Sequence, residues 1–233
     1  LITGASTGIG KATATAFAKA GFAVVLVSRS QDKLAALANQ LTAEYAVPAQ
    51  SFPIDLSAIA QVKSAMELIL QQVGPVDVLI NNAGMGYTGV LADMPLADWQ
   101  AVMDLNSTSV FQCIQAVLPS MRDRNSGLII NVASIAARQA FPDWGAYGVS
   151  KAALAALSRA VAVEEQSHGI RVVTIFPGAV NTSIWDTDTV QADFDRSGML
   201  APEVVAEAIL QVARLSESAV IEELTLMPSG GAL

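Results

Sequence analysis

The sequence predicts an α/β fold, a mostly parallel central sheet covered by helices on both faces, and three observations carry that reading. Apolar stretches of strand length alternate with longer stretches of helical period, the β-α-β rhythm that places strands side by side in parallel. Hydrophobic residues make up 52% of the 233 positions and charged residues 15%, which supports a sizeable core and argues against disorder. Near the start, a glycine-rich turn lies between a strand and a helix. Nothing in the composition marks a break, so residues 1–233 are read as one domain.

The elements follow in order. Leu1-Ile2 is apolar, but two residues before Thr3 are fewer than the usual ~5–6 of a strand, so the chain is read as opening inside its first strand. The glycine-rich turn leads into a helix from Lys11 onward. Residues 23–28 then read as a strand, 31–45 as a helix, 49–53 as a short strand, 57–73 as a helix and 76–81 as a strand. Two long helical segments, 96–122 and 146–167, flank a strand at 128–132. A strand over 172–177 ends in Pro177-Gly178, Pro202 opens a helix over 202–215, and an alternating strand spans 219–227. The segment 146–167 is rich in Ala and Leu around most of its circumference, so one core face does not account for it. Either a partner subunit covers its second side or the helix is unusually buried within one chain.

Composition excludes several functions. Thirteen Lys and Arg stand against 21 Asp and Glu, a net charge of −8, and no basic tract interrupts it, so a nucleic-acid backbone is repelled. No apolar run reaches the ~18 residues of a membrane span. Cys113 is the only cysteine; it excludes an internal disulfide, fills space in a helix, and points to a reducing compartment, hence a cytoplasmic location. His168 is the only histidine, sits at a helix end where imidazolium suits the dipole, and cannot build a metal site without help. No metal is expected.

The stretch from Ser134 to Lys151 places a hydroxyl, a phenol and an ammonium where one reaction can use all three. Tyr147 and Lys151 are four residues apart, so on a helix both leave the same face. A phenol loses its proton near pH ~10, and a cation held beside it lowers that value. Three tyrosines and five lysines give a chance Y-x-x-x-K in roughly 6% of such chains, so the pair alone is only a hypothesis. It is not alone. Thr3-Gly4-Ala5-Ser6-Thr7-Gly8-Ile9-Gly10 is a strand-to-helix turn of the kind that offers backbone N–H groups and a positive helix end to a pyrophosphate.

Together T-G-x-x-x-G-I-G, Asn81-Asn82-Ala83-Gly84, Asn106, Ser134 and Tyr147-x-x-x-Lys151 resemble the short-chain dehydrogenase/reductase family in motif, order and spacing, from Thr3 to at least Thr182. The resemblance implies a Rossmann-like doubly wound fold and an NADP(H)-dependent oxidoreductase interconverting a ketone or aldehyde and an alcohol. In that reading Tyr147 is the general acid/base and Ser134 holds the substrate oxygen. Lys151 lowers the phenol pKa and bonds the nicotinamide ribose, while Asn106 interrupts its helix and holds a water of a proton relay. Helices of this kind commonly pack against their copies, so a homodimer or homotetramer is implied.

For the cofactor, the resemblance assigns Gly4, Ser6, Gly8, Ile9 and Gly10 to the pyrophosphate turn. Asp55 and Leu56 are assigned to adenine, Asn82, Ala83 and Gly84 to the cofactor wall, and Pro177, Gly178, Val180 and Thr182 to the nicotinamide side. Asp55 serves equally as an N-terminal cap for the helix that follows. At the tip of the second strand a carboxylate would select NAD(H); here Ser28-Arg29-Ser30 offers a hydroxyl and a guanidinium, which suit the 2′-phosphate of NADP(H). Thr7 stands where NADP-preferring members often carry a second basic residue, so NAD(H) remains an alternative. The substrate pocket is expected from Ile135, Arg138, Trp144, residues 85–87 and a lid over 183–199, with Arg138 either facing solvent or receiving a carboxylate. From a different class, a non-catalytic dinucleotide-sensing regulator or scaffold has the same fold, but does not need the full Asn106, Ser134, Tyr147 and Lys151 set. An isomerase or dehydratase using the cofactor transiently is a third reading, whose members usually have longer chains and different glycine spacing.

Overall fold

The computed structural model describes residues 1–192 and 195–230. Fourteen principal elements build the fold. The chain runs β1 (Ile2–Thr3), α1 (Gly8–Lys19), β2 (Val24–Ser28), α2 (Gln31–Tyr45), β3 (Ala49–Pro53), α3 (Ile59–Val73) and β4 (Val78–Asn81). It continues through α4 (Leu96–Met103), α5 (Ser109–Arg124), β5 (Gly127–Val132), α6 (Gly145–Glu165), β6 (Ile170–Pro177), α7 (Pro202–Ala213) and β7 (Glu223–Leu226). The strands form one seven-stranded sheet in the order β3-β2-β1-β4-β5-β6-β7, and every pairing is parallel. This is the doubly wound α/β architecture expected.

Each face of the sheet has its own core. On one side Phe17 of α1, Leu34 and Leu41 of α2 and Ile209 of α7 pack on Leu26, Ile130 and Ile175. On the other Met66 of α3, Ile114 of α5 and Leu154 of α6 pack on Val27, Leu79 and Ile129. Alternate residues of one strand, such as Leu26 and Val27, therefore serve opposite faces, and full burial of each large side chain is worth roughly 1.5–3 kcal/mol.

Two expectations change in detail. The helical segment 96–122 is not uniform: between α4 and α5 a π-helical turn spans Asp104–Thr108, and α5 runs on to Arg124. The final strand is shorter than its alternation suggests, because only Glu223–Leu226 pairs with β6. The chain before it is held otherwise: Arg171 donates to the carbonyls of Leu215, Ser216 and Ala219. No helix among the described residues is long and apolar enough to cross a membrane.

Candidate active site

A cleft of about 1150 Å³ opens at the carboxyl ends of the strands, where the order reverses between β1 and β4 and an open α/β sheet leaves a crevice. At one end lies the turn after β1. Gly4 has φ 64°, and a side chain on Gly10 would sit 2.2 Å from the Gly4 carbonyl oxygen and 2.6 Å from Asn82 Nδ2. Asn82 Nδ2 donates to the carbonyls of Thr3 (3.1 Å) and Gly4 (3.3 Å), and Thr3 Oγ1 accepts from the N–H groups of Asn82 and Ala83, both 3.0 Å. The turn is thus bolted to the end of β4. Thr7 precedes α1 with an extended backbone and no side-chain cap, so the first amides of the helix keep free donors beside Gly8 and Ile9, which line the cleft. That donor set, at a positive helix end, fits a pyrophosphate.

Further along, Ser28, Arg29, Ser30, Asp55 and Leu56 line the same cleft. Asp55 Oδ1 accepts from the Ser57 N–H (2.9 Å) and Ser57 Oγ (2.7 Å) in the turn before α3; α3 has Ala58 as its N-cap and no side-chain cap, so Asp55 does not cap that helix. Partial burial pushes the Asp55 carboxyl up, but the Ser57 bonds and the charge of Arg29 outweigh it and the net shift is downward. Gly10 itself is buried and does not line the cleft; it lets the turn close.

At the other end, α6 begins at Gly145 and brings Tyr147 and Lys151 into the cleft one turn apart. Ser134 lines the same end of the cleft as Tyr147. Ser134 starts a short 3₁₀ turn, where its Oγ accepts from the Ala136 N–H at 3.1 Å. Lys151 is 4% exposed, its Nζ donates to the Val132 carbonyl at 2.9 Å, and it lies 5.8 Å from the centre of the Tyr147 ring. Asn106 is fully buried in the π-helical turn. Its Oδ1 accepts from the Met85 N–H (2.8 Å), and its Nδ2 donates to the Met85 carbonyl and Ser150 Oγ, each 3.0 Å. Asn106 does interrupt its helix, and π turns of this kind gather at functional sites.

One electrostatic expectation is not seen in the chain by itself. Burial raises the Tyr147 phenol above its ordinary value, and the Ser134 hydroxyl offsets this only in part. Lys151 does not set it, because its ammonium is turned to the Val132 carbonyl and is itself lowered to about 8 by desolvation. The shift in Lys151 is a stability effect as well. Below about pH 8 the fold holds a buried charge that the unfolded chain keeps in water, a cost of about 3 kcal/mol that is recovered as pH rises toward 10.5. Lys151→Met is therefore expected to be most stable relative to wild type near pH 7, the gap in Tm shrinking by pH 9.5; a constant gap would mean that Lys151 is not desolvated.

The cleft wall includes Met85, Ile135, Trp144 and, from the expected lid, Ile184, Trp185 and Met199. The lid is pinned: the Thr88 N–H donates to the Thr189 carbonyl (2.9 Å), Thr189 Oγ1 to the Gly86 carbonyl (2.8 Å) and the Gln191 N–H to Thr88 Oγ1 (2.7 Å). Asp193 and Phe194 of the lid lie outside the described residues. Arg138 corrects the sequence reading, for it does not line the cleft. Its Cζ sits 3.8 Å over the Phe176 ring, Nη1 donates to Thr225 Oγ1 at 2.8 Å, and Nη2 pairs with Glu223. Tyr87 also stays out of the main cleft, donating to Asp98 at 2.8 Å.

Comparison with known proteins decides the family: residues 1–192 match the short chain dehydrogenase family. The chain belongs to it. Among solved structures, this short-chain dehydrogenase is similar to an alcohol dehydrogenase from the archaeon Thermococcus sibiricus complexed with 5-hydroxy-NADP. The TM-score is 0.89 at 31% identity, over 98% of this chain and 95% of that one. It is likewise similar to the L-sorbose reductase of Gluconobacter frateurii complexed with NADPH and L-sorbose, with TM-score 0.88 at 29% identity, over 97% and 94%. Among curated relatives, the ketoacyl reductase HetN of Nostoc sp. is 34% identical over 95% of this chain and 77% of that protein. The glycine betaine reductase ATRR of Emericella nidulans is 31% identical over 98% of this chain, which spans only 18% of ATRR. Membership places the short-chain dehydrogenase among NAD(P)-dependent oxidoreductases. Its cleft also uses residues the sequence reading passed over: Ser57, Ala101, Leu105, Phe141 and Met227 line it, and Ser150 bonds Asn106.

Proposed function

We propose that this chain, read as one domain over residues 1–233, is an NADP(H)-dependent oxidoreductase that interconverts a ketone or aldehyde and an alcohol, with Tyr147 as general acid/base. One observation carries the reading: Ser134, Tyr147 and, a turn away, Lys151 line one end of the same cleft that begins at the uncapped amides of α1. When bound, the cofactor supplies or accepts the hydride. Ser134 and Tyr147 together hold the carbonyl oxygen; as carbon gains its C–H bond, the π electron pair moves to that oxygen and the Tyr147 O–H supplies the proton. A phenol raised by burial stays protonated at neutral pH, which suits donation. In this reading Lys151 bonds the ribose hydroxyls, Asn106 holds the turn behind Lys151 and Ser150, Asn82, Ala83 and Gly84 wall the cofactor, and Pro177, Gly178, Val180 and Thr182 flank the nicotinamide. The two solved relatives complexed with NADP-type cofactors support the choice of cofactor. The deciding experiment follows NADPH absorbance with purified protein across a panel of carbonyl compounds. Tight NADPH binding with no turnover on any of them would favour a dinucleotide-sensing regulator instead.

Arg29 is the proposed reader of the 2′-phosphate. Arg29→Asp removes a fork donor and adds a like charge, so NADPH affinity is expected to fall by roughly 100-fold or more, and NADH affinity far less. Titration with both cofactors tests this, and equal losses would clear Arg29 of the role.

The same reading includes self-association. Ala152, Ala156 and Ala160 form an exposed row on α6, with Val163 77% exposed beyond them and Phe111 of α5 43% exposed. Small side chains allow close helix approach. Sedimentation is expected to give a dimer or tetramer held by the α4–α5 segment and α6; a monomer at micromolar concentration would remove it.

A further inference from the structure

The end of the cleft beyond Tyr147 is walled by a row of aromatic rings. The Trp144 ring stands edge-on to Tyr147, with centroids 5.2 Å apart at 74°, and edge-on to Trp185, with centroids 5.5 Å apart at 67°. The row is held at both ends. Trp144 is the residue before α6: its carbonyl accepts from the Gly148 N–H (2.8 Å) and its N–H donates to the Phe141 carbonyl (3.2 Å). Asp143 before it has φ 65° and its carbonyl accepts from the Gly89 N–H at 2.8 Å. Trp185 Nε1 donates to the Val180 carbonyl at 2.8 Å, so its polar atom is engaged within the protein while the indole ring lines the cleft. Phe141, Ile184 and Met199 add apolar surface around the row.

Charge separates this end from the cofactor track. Among the described lining residues the cations are Arg29 and Lys151, one at the tip of β2 and the other bonded to the Val132 carbonyl. The acidic residues Asp143, next to Trp144 in sequence, and Asp188 also line the cleft and border a shallow annex with Tyr87 and Asp98. An anionic group carried in with a substrate meets two carboxylates there. A planar ring meets indole faces and edges, where aromatic pairs gain beyond simple burial.

We propose that the substrate is an uncharged ketone or aldehyde with an aromatic or conjugated ring on the carbonyl carbon. The ring lodges on Trp144 and Trp185 while the oxygen reaches Tyr147 and Ser134. This rests on the reading of the cleft as a carbonyl reductase site. Conjugation makes an aryl ketone intrinsically less reactive toward hydride than its saturated counterpart, so a preference for it can only come from the pocket.

The test measures kcat/KM with NADPH for acetophenone, cyclohexyl methyl ketone, 2-butanone and the anionic benzoylformate. Acetophenone is expected to exceed 2-butanone by roughly 30-fold or more, and to exceed both cyclohexyl methyl ketone and benzoylformate by about tenfold or more. Trp144→Phe should keep the preference for acetophenone over cyclohexyl methyl ketone, and Trp144→Leu should erase it. Turnover with cyclohexyl methyl ketone or benzoylformate ranked first overturns the substrate class alone. So does a ratio that Trp144→Leu leaves intact. NADPH that binds but is consumed with none of the four overturns the substrate class, and the parent reading falls with it only if the wider carbonyl panel is also left untouched. The wild-type ranking decides the matter even where a variant fails to fold.

Discussion

Tyr147→Phe is expected to lower turnover by ~10²-fold or more while the fold and NADPH binding survive. The substitution keeps the ring, and with it the edge contact to Trp144, and removes only the hydroxyl. Lys151→Met should lose most activity too, but it should also weaken NADPH, because Lys151 is assigned a ribose contact. The two variants must therefore differ in binding. Sign matters for the pH profile: burial raises the Tyr147 phenol, so alcohol oxidation, which needs the phenolate, should climb with pH through the alkaline range while reduction holds near neutrality. Near-normal turnover by Tyr147→Phe on a substrate that wild type reduces would show that another group moves the proton.

Gly10→Ala should abolish tight NADPH binding, with an affinity loss of tenfold at the least, and lower stability at the upper end of the ~1–3 kcal/mol usual for overpacking. The added carbon would lie 2.2 Å from a backbone oxygen and 2.8 Å from the Gly4 carbonyl carbon, and backbone cannot swing aside as a flexible side chain does. Relief requires shifting Gly4, which the Asn82 bond ties to β4, and that displaces the amides meant for the pyrophosphate. Calorimetric titration together with a thermal melt checks both effects; wild-type affinity in the variant would mean that the turn is not the cofactor cradle.

Much of this was legible in the chain because it depends on near neighbours. The strand and helix periods gave the seven-stranded sheet its order of elements, and a four-residue spacing put Tyr147 and Lys151 on one face of α6. The strand-to-helix turn at Gly4 to Gly10 is local as well, whereas the interruption around Asn106 came from the family resemblance alone. Two misreadings involve partners distant in sequence. Arg138 reads as a pocket residue until β7 delivers Glu223, 85 positions away, and an alternating stretch reads as a nine-residue strand until the ladder with β6 limits it to four.

By itself, then, the sequence determined the α/β class, the element order and the residue types of the candidate site, since these follow from periodicity and from chemistry at fixed spacing. Tertiary structure alone decided the electrostatics and the shape of the cleft. Whether a cation lowers a phenol depends on where its ammonium is turned and how much water surrounds both. Here Lys151 points to the Val132 carbonyl, and burial shifts both groups toward their neutral forms. No spacing along the chain encodes solvent exclusion, and it took Trp144 and Trp185, 41 residues apart in sequence and 5.5 Å apart in space, to make an aromatic wall.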